Sequence, residues 1–310
     1  MLKFIGKRFL WMIVTLWVII TVTFVLMRFA PGSPLDVDDV GMSEQARANM
    51  MAHYNLDQPV IMQYLNYLKN AVTFDFGPSM VTRSREVSDM LASGFPASLQ
   101  LGLVTLILAV ISGIILGVLA ALRHNKMIDY VTMFIAIIGI SIPNFIQAML
   151  FIQYISTQFD FFPTAQWGTW RHAILPALAL ASGPIAIIAR MTRSNMLEVL
   201  TEDYIKTAKA KGLSNFQIVV KHALRNALLP VVTILGVLVA SIFTGSFVVE
   251  RIFAIPGVGQ YFVESITNRD YPMIMATTII YSTIFIIMMF IVDVVYGIID
   301  PRIQLHKKEE

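Results

Sequence analysis

Cysteine is absent from the chain, which excludes disulfides, thiol catalysis and cysteine-liganded metal sites and says nothing more about redox compartment. Charge is scarce. Asp, Glu, Lys and Arg make up 14% of the 310 residues, against about 25% in soluble domains. The five histidines (His53, His124, His172, His222 and His306) are scattered, and none falls in an HExxH pattern. No GxxxxGK[ST] phosphate loop occurs, so ATP is not bound and hydrolysed by that route. A nucleophile elbow and a helix-borne pair of carboxylates are also missing. The expectation is a chain without catalytic, cofactor or metal residues of its own.

Oil is what the chain has in excess. Hydrophobic residues make up 56% and the mean hydropathy is +0.70. About 20 residues of helix cross the roughly 30 Å hydrocarbon core. Six runs fit, at residues 9–30, 98–122, 131–155, 173–190, 230–250 and 274–298, the fourth being the shortest. The first follows Lys3, Lys7 and Arg8, exceeds the length of a secretory signal core and ends at Arg28-Phe29-Ala30-Pro31, so it is read as a retained span. The class is therefore an all-α integral membrane protein. With the N-terminus inside, 15 of the 23 Lys and Arg fall in inside segments, seven of them from Arg190 to Arg225. The positive-inside rule then makes both termini cytoplasmic.

One polar stretch holds more than topology requires. Within 191–229, DYIKTAKAKGLSNFQIVVKHALRNALLP begins at Asp203. Thr201 is placed to cap a helix with Glu202 and Asp203 in its first turn and Lys209 and Lys211 at its end, an order that suits the helix dipole. Gly212 is placed to stop it. Ser214 to Gln217 reads as a capping box, with Leu213 and Ile218 as its hydrophobic staple. The second helix would put Phe216, Val219, Val220, Ala223 and Ala227 on one face. Such a corner suits docking; an ordinary interfacial helix pair is the plainer reading. Seven cations spread over this length beside a membrane do not make a nucleic-acid surface.

Elsewhere, 31–97 carries eight acids and four bases, with helices expected within Met42–Ala71 around a turn at Tyr54–Pro59. Gly113 and Gly117 form a GxxxG helix-packing pattern. Pro143 should kink or break the third span, either lining a cavity or simply bending a helix. Asp293 is the clear acid within a span, about 7–8 Å from its inner end, where an interfacial or interhelical role fits better than ion coupling.

The stretch RMTRSNMLEVLTEDYIKTAKAKGL (190–213), followed by KHALRNALLP, resembles the cytoplasmic loop of ABC-transporter permeases, more narrowly the first permease subunit of bacterial oligopeptide and dipeptide importers. The likeness spans nearly the whole chain: PGSP (31–34), LDQPVIMQY (56–64), FDFGPS (74–79), SIPNF (141–145), VVERIFAIPGVGQ (248–260), RDYP (269–272) and DPRI (300–303) follow the family's order. Two departures stand. Lys206, Thr207 and Ala208 occupy the positions of the general Glu-Ala-Ala, a change that fits the peptide branch, and Ser33 replaces a usual aspartate.

The resemblance implies the type I importer permease fold. The N-terminal helix and an extracytoplasmic region would occupy 1–97, a five-span core 98–303 and a cytoplasmic tail 304–310. It implies a coupling loop whose residues Tyr204, Thr207, Ala208, Lys209, Lys211, Gly212, Leu213 and Phe216 face an ATPase, with Leu213 and Phe216 as apolar anchors and the lysines at the rim. It implies a pathway or gate with Pro143, Asn144, Ser246, Pro256 and Gly257. The partners it implies are a second homologous permease, two cytoplasmic subunits that bind ATP and Mg, and an extracytoplasmic peptide-binding protein. Import of nickel, glutathione or another small solute remains open, as does, remotely, a stand-alone carrier.

The topology is directly testable. A cysteine at Ser84 should react with an impermeant maleimide in intact or wall-stripped cells, while one at Ser214 should not. The reverse pattern would invert the orientation.

Overall fold

A computed structural model describes residues 2–29, 44–82 and 84–299. PGSP with Ser33, DPRI and the tail 304–310 lie outside the described residues. The fold is all-helical, and among the described residues the sole extended pairing is an isolated bridge between Pro78 and Glu86. In chain order the helices are α1 (Leu2–Phe29), α2 (Glu44–His53), α3 (Val60–Thr73), α4 (Val87–Leu122), α5 (Met127–Ser141), α6 (Asn144–Ser156), α7 (Trp170–Val199), α8 (Asp203–Ala210), α9 (Asn215–Ala227), α10 (Leu229–Ile252), α11 (Val258–Asn268) and α12 (Tyr271–Ile299). Four of them, α1, α4, α7 and α12, are long and apolar enough to span a membrane alone, and the total is six if each of the bent pairs α5–α6 and α9–α10 counts as one broken span.

The chain divides into two compact units, Met1–Ser98 with Pro256–Ile287, and Leu99–Ile255 with Met288–Glu310. In the first, α1 is tied to α3 by aromatic and polar contacts. Phe24 lies 5.3 Å from the rings of both Tyr64 and Tyr67. The Arg28 guanidinium donates to the Gln63 side chain at 2.9 Å. Burial pushes the Tyr67 phenol above the usual tyrosine range. The helices α2 and α3 and the turn between them, with Asn55 at φ 55°, stand where the polar pattern of 42–71 puts them. Two of the sequence motifs, FDFGPS and RDYP, meet here. The buried Asp270 carboxyl accepts from Ser79 Oγ and from the backbone N–H of Met80 and Met273, the last two at 3.2 Å. One side chain thus caps the first turn of α12 and clamps a loop 190 residues away in sequence.

The second unit is built around α7. Its buried alanines (Ala177, Ala179, Ala181, Ala186 and Ala189) let neighbouring helices approach closely. Gly113 and Gly117 of α4 use that space: a Cβ on Gly113 would lie 2.7 Å from Ile188, and one on Gly117 would lie 2.6 Å from the Ala189 carbonyl oxygen. Ala109, Ala181, Ile188, Val231 and Leu238 form an apolar core joining α4, α7 and α10.

Three boundaries differ from the sequence reading. The second apolar helix starts at Val87 rather than 98 and carries Pro96 inside it, because one lost N–H is tolerated when the rest of the ladder continues. The fourth runs on to Val199, well beyond 190, since Met196 and its neighbours bury apolar surface there. The third is no continuous span: α5 and α6 meet at 105°. Ile142 and Pro143 are extended at the break, and Gln147 Nε2 donates to the carbonyls of Ile142 (2.7 Å) and Gly139 (3.2 Å). The side chain supplies what the proline withholds. Asp293 falls on α12, with its side chain outside the described residues.

Gly117→Ala should destabilise the purified protein by about 1–3 kcal/mol, because the added methyl meets backbone that cannot yield without separating two helices. Gly183→Ala, in α7, should be neutral or stabilising, because its added methyl would meet nothing within 4 Å. Thermal unfolding followed by tryptophan fluorescence separates the two. Equal midpoints would refute the packing assignment.

Candidate functional site

The segment α8–α9 forms a sharp corner whose geometry is local chemistry throughout. Lys211 ends α8, and Gly212 takes φ +78°. Gly212 N–H then bonds the Lys209 carbonyl at 3.0 Å and Leu213 N–H bonds the Ala208 carbonyl at 3.3 Å. Those two bonds are the Schellman pair that satisfies the last carbonyls of a helix. Ser214 restarts the chain. Its Oγ accepts from Gln217 N–H at 3.3 Å, and Gln217 Oε1 accepts from Ser214 N–H at 3.1 Å, which closes the capping box.

The start of α8 differs from expectation. Glu202, not Thr201, is the N-cap, and Thr201 Oγ1 instead donates back to the Glu198 carbonyl at 2.7 Å. That bond holds Thr201 against the end of α7, where its oxygen cannot reach the first N–H groups of α8.

Beneath the corner lies an apolar cluster of Ala121, Met196, Ile205, Ala208, Ile218, Ala223 and Ala227, with Leu213 packed on it. This joins the ends of α4 and α7 to both short helices and anchors the Leu213–Ile218 staple. Asn226 Nδ2 donates to the Tyr204 hydroxyl at 2.8 Å and Asn195 Nδ2 to the Ala227 carbonyl at 3.0 Å. The expected face of α9 holds in part: Ala223 and Ala227 are buried in the cluster and Val219 packs on it, but Phe216 and Val220 turn outward. Residues 218–223 form a π-turn, and its extra residue rotates the register, so that Ile218 is buried while Phe216 is 76% exposed and Val220 43%.

The structure therefore sorts the loop residues singled out by sequence. Ala208 is buried and Leu213 half-buried, both facing the internal cluster. Tyr204, Thr207, Lys209, Lys211, Gly212 and Phe216 are exposed. Phe216 is thus the free apolar anchor of the pair, while Leu213 serves the interior. Lys206, at the first of the departing positions, pairs with Asp203 at 2.8 Å.

The pathway residues fall on separate elements of the chain. Pro143 is exposed and Asn144 half-buried at the α5–α6 break, and Ser246 is buried in α10, its hydroxyl donating to the Phe243 carbonyl at 2.8 Å. Pro256 and Gly257 belong to the other unit. There Gly257 precedes α11, and Val258 N–H bonds Ser98 Oγ at 2.9 Å.

Sequence reasoning missed one ionic site. Arg193, counted there among the loop cations, reaches the buried Asp129 with Nε at 2.5 Å and Nη2 at 2.7 Å, and Nη2 also lies 3.1 Å from His124 Nδ1. The fork clamps the start of α5 to the end of α7. The lone acid just after Lys126 was the available signal. Among the described residues, no group of three His, Asp or Glu is placed to hold a metal ion.

A polytopic helical chain with a locked, exposed two-helix corner matches a known architecture. Residues 113–305 match the family described as binding-protein-dependent transport system inner membrane component, and 1–102 match its N-terminal counterpart. This chain belongs to that family and is a multi-pass membrane permease. It is 59% identical over 308 residues to the dipeptide transport system permease protein DppB of Bacillus subtilis (strain 168), covering 99% of this chain and 100% of the relative. It is 43% identical over 306 residues to the oligopeptide transport system permease protein OppB of Escherichia coli (strain K12), covering 98% and 100%. Among solved structures, an inward-facing form of the MetNI methionine ABC transporter shares the fold, with a TM-score of 0.54 at 21% identity over 68% of this chain and 94% of that one.

Because a Cβ on Gly212 would meet nothing within 4 Å, the demand there is conformational and not steric. Gly212→Asn should retain the corner, since asparagine tolerates the left-handed region, whereas Gly212→Val should cost about 1 kcal/mol or more. Limited proteolysis at 203–227 should accelerate in the valine variant alone. Equal rates in both variants would show that the positive φ is not what holds the corner.

Proposed function

We propose that this chain is the permease subunit of an ATP-driven importer of dipeptides or oligopeptides, forming half of the translocation pathway. The carrying observation is the α8–α9 corner: a rigid projection, anchored to the ends of α4 and α7, that presents Phe216 flanked by Lys209 and Lys211 to its surroundings. A surface of this kind can transmit a push, because its buried cluster leaves it little freedom to yield. In this reading the corner lies in the cytoplasm, as do both termini, and docks in an ATPase subunit. ATP and Mg are held there and not in this chain.

The peptide cargo is carried over from the relatives' names. The assembly would contain a second homologous permease, two ATP-binding subunits and an extracytoplasmic peptide-binding protein, all within the bilayer or beside it. Ser246, Pro256 and Gly257, with the break at Pro143, would contribute to the gate. Phe216 is the expected anchor of the ATPase contact and the two lysines its rim, so the aromatic should matter more.

Reconstituted with its neighbouring subunits, the complex should import labelled dipeptide in a vanadate-sensitive manner. A peptide panel should compete for uptake, while Ni²⁺ and glutathione should not. Phe216→Ala should lower co-purification of the ATPase and transport together, Lys209→Ala less so. Uptake without ATPase subunits would overturn the coupled reading, and competition by Ni²⁺ or glutathione alone would overturn the peptide assignment.

A further inference from the structure

A second feature sits where α9 turns into α10 through a 55° bend. A cavity of about 680 Å³ opens there, lined by Tyr204, Lys221, His222, Arg225, Asn226 and Leu229. Lys221 and Arg225 are cationic, Tyr204, His222 and Asn226 carry hydrogen-bonding groups, and none of the six is acidic. Lys221 and Arg225 are exposed and His222 is half-buried. The Asn226–Tyr204 hydrogen bond at 2.8 Å fixes the wall between α8 and α9. Lys221 lies within the π-turn and Arg225 just beyond it, and both line the same cavity.

Depth identifies the occupant. Leu229 is the first residue of the apolar helix α10 and is 46% exposed. Arg225 precedes it by four residues and Lys221 by eight, which is about 6 and 12 Å of helical rise, less in depth because α9 is bent. The polar layer on each side of a bilayer is about 5–8 Å thick, so Arg225 stands at headgroup level, Lys221 at or just beyond its outer edge, and Leu229 at the start of the acyl chains. We propose that this cavity binds the phosphate-bearing headgroup of an anionic phospholipid.

The charge set explains the selectivity. Lys221 and Arg225 supply N–H donors to a phosphodiester, and the Tyr204 hydroxyl and His222 imidazole can extend the set. A zwitterionic headgroup brings its own ammonium into a pocket with no acid to receive it. A free phosphate would leave exposed Leu229 without an apolar partner. Basic pockets beside membrane helices use the same physics. The inference needs only a membrane interface at the α9–α10 bend and is independent of cargo and of ATPase docking.

The test uses the full chain in its complex, in nanodiscs with equal parts phosphatidylglycerol and phosphatidylcholine, and native mass spectrometry of the lipids retained on the chain. The wild type should be enriched in phosphatidylglycerol. Lys221→Gln with Arg225→Gln should reduce that enrichment about 25-fold, from about fivefold for each cation near a charged surface. Lys126→Gln, a cation outside the cavity, should leave it unchanged. Arg225→Gln alone should show the same direction and serves if the double variant does not fold. Unchanged enrichment in a folded Arg225→Gln or double variant overturns the proposal. Displacement of phosphatidylglycerol by soluble glycerol phosphate would overturn it in favour of a free-phosphate site. Loss of co-purifying ATPase with lipid enrichment intact would do so in favour of a protein contact. Failure of peptide uptake in every variant, wild type included, would count against the cargo assignment and leave the lipid measurement standing.

Discussion

In a bilayer, a backbone N–H or C=O that finds no partner inside the protein has no water to turn to, and each one left unpaired costs several kcal/mol. The rest of this structure answers to that constraint. Where helices run on, the ladder itself meets it. Where they break, a specific device takes over. At the α5–α6 break Gln147 bonds two carbonyls near the proline. At the start of α12 the Asp270 carboxyl takes the N–H of Met273. The sharp 105° turn is therefore compatible with a lipid environment only because one amide side chain, buried to 7% exposure, is committed to it.

The second organising element is the use of small residues on α7. Alanines there and glycines on α4 bring backbones close enough that dispersion can hold helices together where the hydrophobic effect gives no help. The apolar cluster under α8 and α9 continues this packing past the end of the apolar stretch. The corner thus rests on the same helices that form the core of their unit, and the Asp129–Arg193 fork fixes α5 to α7.

What could be read from the sequence depends on range. Gly212 as a stop and Ser214 with Gln217 as a box are interactions among residues within a few positions of one another, and their residue types name them. The same holds for Pro143 and the GxxxG pair. The Ser79–Asp270 clamp and the Asp129–Arg193 fork join residues 191 and 64 positions apart, and nothing in a local pattern pairs them. Thr201 looked like a cap because its type fits, yet its hydroxyl had a closer acceptor behind it. Phe216 and Val220 left the expected buried face of α9 for another reason. A regular 3.6-residue period was assumed across a turn that is wider than that. The family's order of motifs supplied what periodicity could not, namely that these helices act as one permease.

The π-turn within α9 also divides the helix by the demands placed on its two ends. A π-turn is the trace of one residue more than a regular helix would hold, and it rotates the residues before it by about 100° relative to those after it. Ser214 to Gln217, with Phe216 outward, answers to whatever the corner meets, whereas Ala223 to Leu229 answers to the span that begins there. The turn thus lets the outward-facing corner and the stretch that enters the span keep different registers within one continuous helix.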